Sequence, residues 1–293
     1  MDVLYCRRDR VHAEPKAARS PAVFLHGFPD SSDIFEKYVV DTAAAWLNGR
    51  EIFTIDFPNR RTNPDRVPPL SLLVAGELWH GGSLQREVDA LLDATVAESP
   101  TGKLLLVAHD WGATCAWSWI RRRPSAPVEA MVSLSVGSSF RYDVLEHGVG
   151  ALQWAYSAVF SLGYYLPHRW IGRLIGNLAK HAAGYRADDL DEVYRDAWHY
   201  WYGPFELLLL PLKLVGFRYV PPFVGFPFPV LYIRAESDRI ATTAAFESHL
   251  RERPDCRVLV LGTGFSHWFP EQHPDLVLAQ IRDFPPLRPE PAL

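Results

Sequence analysis

Leu104-Leu-Leu-Val-Ala-His-Asp-Trp-Gly-Ala113 is the stretch on which the fold turns. Its apolar run reads as a buried strand, the polar step at His109 and Asp110 as a tight turn, and the residues beyond Trp111 as a new helix. Ala108 and Gly112 lie two positions before and after Asp110, giving the pattern small-x-nucleophile-x-small. Both flanks must be small because such a turn is strained and brings strand and helix backbones close together around the central residue. A serine there needs a base before it can attack. An aspartate, with an ordinary pKa of about 3.9, is already ionised at neutral pH and can attack an sp³ carbon directly. The unpaired N–H groups and dipole of the following helix favour its anion. The alternative reading of Asp110 is a helix cap after a buried strand.

Outward from this turn, similar β-branched or apolar runs occur at 21–25, 51–55 and 128–136, each followed by Gly, Pro, Asp or Asn. Between them, Leu84, Val88, Leu91, Leu92 and Val96 recur at helical spacing within 83–97. Alternating strands and helices imply an α/β fold with a doubly wound, mostly parallel sheet. The alternation stops after Val136. Aromatic-rich helical segments punctuated by Pro167, Pro204 and Pro211 follow to about Leu214, and strands resume at 229–234 and 257–262. The expected organisation is a core of residues 1–139 and 226–293 interrupted by a helical cap, 140–225. The cap would lie over the carboxyl ends of the strands, where open sheets bind ligands.

With 293 residues, 48% of them hydrophobic, the chain can bury one large domain with an insertion. A formal charge of −4 without long blocks of one sign disfavours nucleic acid as a partner and leaves a small molecule. The first ten residues lack the apolar core of a secretory signal, and no run approaches the ~18 apolar residues of a membrane span. A soluble, cytoplasmic protein is therefore expected. Cys6, Cys115 and Cys256 are too scattered for a disulfide framework or a zinc site, so free thiols and no metal are expected.

His109-Asp-Trp-Gly112 together with His26-Gly-Phe-Pro29, the latter directly after a strand, resembles the epoxide hydrolase and haloalkane dehalogenase branch of the α/β-hydrolase superfamily. The resemblance extends from about Pro21 to Phe284 and implies the α/β-hydrolase fold with an inserted cap. It implies an oxyanion hole made by the backbone N–H groups of Phe28 and Trp111. His267, in the Gly-rich segment Gly262-Thr-Gly-Phe-Ser-His-Trp-Phe269 after an apolar strand, matches the family's catalytic histidine. Asp238, in Arg234-Ala-Glu-Ser-Asp-Arg-Ile240, matches the acid that orients it, with Glu236 as competitor. Some dehalogenases carry that acid after the preceding strand, but Leu134-Ser-Val-Gly-Ser-Ser139 holds no carboxylate.

The resemblance implies in-line attack by Asp110 on carbon, an alkyl ester of the enzyme, and hydrolysis by water activated at His267, with neither metal nor organic cofactor. Two features favour a small apolar epoxide as substrate. Dehalogenases commonly carry Asn after His-Gly as a halide donor, where this chain has Phe28. Trp201-Tyr202 resembles a ring-opening tyrosine motif, and a phenol can protonate the epoxide oxygen. Tyr200 competes with Tyr202, and Phe160 stands where a second tyrosine is expected, with Tyr156, Tyr164 or Tyr165 as substitutes. Trp111, Trp154, Tyr156, Phe160 and Tyr164 are the expected substrate-binding residues. Trp111 and Trp154 could instead build a halide site, so a haloalkane dehalogenase is the alternative, and a non-catalytic ligand-binding protein on the same fold a further one. Residues 56–63, Asp-Phe-Pro-Asn-Arg-Arg-Thr-Asn, depart from the family's glycine-containing loop.

Overall fold

In the computed structural model the apolar runs form six neighbouring strands of a seven-stranded sheet, the last of them at one edge. The structure describes residues 6–12, 19–28, 30–40, 47, 50–57, 83–123, 125, 127–138, 169–183, 225–238 and 244–287. The strands are β1 (Arg7–His12), β2 (Ala22–Leu25), β3 (Ile52–Asp56), β4 (Leu104–His109), β5 (Val128–Leu134), β6 (Val230–Ala235) and β7 (Arg257–Leu261). Their order is β1-β3-β2-β4-β5-β6-β7. β1 runs antiparallel to β3, and every other pairing is parallel.

Burial on both faces explains the unbroken apolar character of the central strands. Side chains alternate along β4: Leu104, Leu106 and Ala108 join one core, Leu105 and Val107 the other. The first core includes residues of α2 (Ser83–Glu98), α3 (Trp111–Arg121) and α5 (Ala244–Arg251), among them Val88, Trp117 and Phe246. The second includes Tyr38 of α1 (Glu36–Val40), Phe269 of α6 (Phe269–Gln272), and Val277 and Ile281 of α7 (Pro274–Arg282).

β1 has no apolar signature and was not expected from the sequence. As an edge strand it pairs on one side only, and charge on such an edge discourages pairing with another chain. Its Arg8 and Arg10 guanidinium groups lie over the Phe53 ring at 4.9 and 5.3 Å. Of the expected cap, the structure describes α4 (Arg169–Ala183) and Gly225. Ile171 and Ile175 of α4 are buried, while Trp170 and Leu174 are exposed.

The strand order positions the site. After β2 the chain adds β3 on one side, then returns to add β4 on the other, leaving a crevice at the carboxyl ends where the winding reverses. Phe28 follows β2 and Asp110 follows β4 at that crevice.

Candidate active site

Asp110 links β4 to α3 with φ 50° and ψ −120°, a region an L-residue enters only at a cost. Its side chain makes no capping hydrogen bond to α3, so the carboxylate is turned away from the role a helix-capping Asp would play. Close approach enforces small neighbours. A Cβ on Gly112 would run into the carbonyl oxygens of Leu25 and His26, and one on Gly27 into the Asp110 side chain itself.

Three loops converge on this carboxylate. The Phe28 N–H, at the end of β2, donates to Asp110 Oδ2 at 2.9 Å. His267, in the loop after β7, brings Nε2 to 3.5 Å from Asp110 Oδ1. Asp238, after β6, holds Nδ1 of that ring at 2.7 Å through Oδ2. A hydroxyl-to-carbonyl bond ties the two loops together, Ser237 Oγ donating to the Phe265 carbonyl at 2.6 Å. Glu236, the competing acid, is exposed in the turn. His273 is exposed at the start of α7.

Asp110, Asp238 and His267 are all buried, so their charges depend on one another. Burial alone would raise the Asp110 pKa, but the hydrogen bond and positive charge of His267, with the Phe28 N–H, lower it. For His267 burial works toward the neutral ring, and the facing carboxylates Asp238 and Asp110 overcome it, holding the imidazole up at about 10. Burial and the two facing carboxylates thus oppose each other at the ring, and the balance favours an imidazolium between Asp110 and Asp238. One carboxylate is fixed by the ring. The other also meets a backbone donor on a strained turn, an arrangement suited to nucleophilic attack followed by general-base chemistry.

Further buried polar groups surround these, and the sequence did not single them out as site residues. Asp30 accepts from Trp268 Nε1 at 3.0 Å, and its pKa is raised well above the usual range by burial and then by the charges of Glu271 and Asp110. His109 is pushed down to about 4 by burial and by the His267 charge, so its ring is neutral. His26 braces the turn after β2 through both ring nitrogens. Its Nε2 accepts from the Phe57 N–H at 3.0 Å, so Nδ1 carries the proton and donates to the Gly27 carbonyl at 2.8 Å. Asp56, the last residue of β3, accepts from the Ser32 N–H at 2.9 Å.

Trp111 begins α3, where its side chain packs partly buried against the core. Tyr202, Trp154, Tyr156, Phe160 and Tyr164, with their competitors Tyr165 and Tyr200, lie outside the described residues. Among the described residues no His, Cys, Asp and Glu side chains are grouped to hold a metal ion, and no helix is long and apolar enough to cross a membrane.

A sequence profile of the alpha/beta hydrolase family matches residues 22–280. No curated protein matches the sequence. Several solved structures resemble the chain over nearly its whole length. Potato (Solanum tuberosum) epoxide hydrolase I is 18% identical with a TM-score of 0.56, matched over 95% of this chain and 98% of its own. An epoxide hydrolase from Bacillus megaterium, in complex with an inhibitor, is 15% identical with a TM-score of 0.61, over 95% and 96%. MenH from S. aureus is 12% identical with a TM-score of 0.59, over 95% and 97%. At these identities the likeness is one of fold.

Proposed function

Because the chain belongs to the α/β-hydrolase family, we propose that it opens small apolar epoxides to vicinal diols through a covalent ester on Asp110. The observation that carries this reading is the Asp110 carboxylate itself. It is ionised, held on a positive-φ turn, bound by a backbone N–H at Oδ2 and faced by His267 at Oδ1. The epoxide hydrolases among the structures of similar fold support it in general outline.

In the first step Oδ1 attacks an epoxide carbon, the carbon–oxygen bond of the ring breaks, and the ring oxygen takes a proton. Tyr202 is the proposed proton donor, on the sequence resemblance. Oδ2, already accepting from the Phe28 N–H, becomes the carbonyl oxygen of the ester. Ester formation consumes the Asp110 charge, one of the two that hold His267 protonated. The imidazole then passes its proton to the phenolate left on Tyr202 by ring opening, which restores the phenol and leaves a neutral ring that can act as a base.

Water next loses a proton to His267 Nε2 and attacks the Asp110 carboxyl carbon. The developing oxyanion sits at Oδ2, where the N–H groups of Phe28 and Trp111 stabilise it. Collapse breaks the bond to the alkoxide, which takes the proton of the newly added hydroxyl and leaves as the diol, restoring the carboxylate beside the protonated His267. Asp238 holds the ring through Nδ1 throughout. Trp111, Trp154, Tyr156, Phe160 and Tyr164 are proposed to line the substrate, under a cap of residues 140–225.

Attack on carbon needs no base, whereas water does, so the two half-reactions can be separated. His267→Gln incubated with an aryl epoxide is expected to gain the full mass of the epoxide on the peptide carrying Asp110. If the parent turned over aryl or aliphatic epoxides while this variant carried no adduct, the covalent route would be wrong. Bromoalkanes in the same panel test the dehalogenase alternative.

A further inference from the structure

The residue that fixes His267 from behind lies outside the triad. The His267 carbonyl oxygen receives two donors, Ser135 Oγ at 2.8 Å and His109 Nε2 at 3.1 Å. A carbonyl only accepts, so the serine hydroxyl donates and His109 carries its proton on Nε2.

Ser135 is fully buried directly after β5 and adopts φ 65°, making it the second non-glycine residue, with Asp110, at positive φ among those described. Glycine would adopt this conformation without steric cost, whereas serine does not. A serine kept in a glycine's conformation points to a use for its hydroxyl. Its other polar groups are committed as well. The Ser135 N–H donates to the Ile233 carbonyl at 2.8 Å, and its own carbonyl accepts from Tyr232 Oη at 3.0 Å. Tyr232 and Ile233 belong to β6, the strand that leads to Asp238. One residue therefore joins the strand before the acid to the main chain of the histidine.

We infer that Ser135 is a positioning residue whose hydroxyl, donated to the His267 carbonyl, holds the imidazole in register with Asp238 and Asp110. The inference rests on the proposed two-step mechanism, in which only ester hydrolysis uses the ring. Loss of the hydroxyl should therefore slow hydrolysis of the ester and spare its formation.

Two variants separate this from a folding role. Ser135→Gly removes the hydroxyl and relieves the backbone, whereas Ser135→Ala removes the hydroxyl and keeps the strained φ. With an aryl epoxide in single-turnover experiments, both are expected to form the Asp110 ester within about twofold of the parent rate, and to hydrolyse it about 10- to 100-fold more slowly. Their unfolding midpoints should diverge, Ser135→Gly lying above Ser135→Ala. Hydrolysis at the parent rate in Ser135→Gly, or a defect that follows unfolding midpoint across the pair, would overturn the assignment.

A readout without substrate keeps this test separate from the proposed activity. The Nδ1 proton shared between His267 and Asp238 should give a low-field proton resonance in the parent that exchanges faster with water in both variants. An unchanged resonance in both would also overturn the positioning role. If the parent itself forms no ester with any epoxide, the proposed function fails, while the resonance still reports on Ser135.

Discussion

At the amino ends of the strands, a buried guanidinium meets a carboxylate. Buried Arg50 donates from Nη1 to Glu129 at 3.0 Å and to the Ser20 carbonyl at 2.7 Å, and from Nη2 to Glu129 at 2.5 Å. Burial would raise the Glu129 pKa, but the Arg50 hydrogen bonds and charge outweigh it and lower the value. At the carboxyl ends, the described residues include four buried acids, Asp30, Asp56, Asp110 and Asp238, and three buried histidines, His26, His109 and His267, and the turns there include two non-glycine residues at positive φ. One end pairs a buried cation with a half-buried carboxylate, an arrangement that stability alone accounts for. The other holds charges and strain that stability alone does not select, and both coincide with reactive geometry.

Substitutions at the two ends should therefore part company between activity and stability. The largest effect is expected at the carboxyl end, where Asp110→Ala removes the proposed nucleophile. Turnover should fall by at least about 10⁴-fold, with circular dichroism and the unfolding midpoint close to the parent. Appreciable residual activity, or an unfolded variant, would erase the contrast.

At the amino end, Glu129→Ala should do the reverse. It leaves Arg50 with the Ser20 carbonyl as its remaining acceptor in this network and is expected to cost about 2 kcal/mol in chemical denaturation. The Michaelis parameters should stay at parent values. A changed kcat would mean that the two ends communicate.

The least direct effect concerns pH. His267 is raised to about 10 in the fold from an unfolded value of about 6.5. Its contribution to stability is therefore complete below about 6.5 and is lost as pH rises through about 10. Asp110 has a lowered pKa, so its contribution is present above about 3.9 and lost as pH falls through its folded value. Thermal unfolding of the parent and of His267→Gln should converge between pH 6.5 and 10 by a few degrees. Parallel curves across that window would remove the imidazolium from the resting site.

The sequence alone determined the sheet's interior and the chemistry-bearing turn. The central strands β2 and β4 are buried along their length, apolar runs made β2 to β7 legible, and the small flanks of Asp110 follow from backbone approach. Tertiary structure decided the rest. The charges of β1 carry no strand period, and the strand exists because β3 offers an edge and Phe53 a ring for the arginines. Asp238 and Glu236 stood two residues apart on one turn, and the fold turned Asp238 to the His267 ring while leaving Glu236 exposed. Asp30 and Ser135 had no sequence signal as site residues, because burial, a raised pKa and a hydrogen bond to a residue 132 positions away come from packing five strand ends side by side.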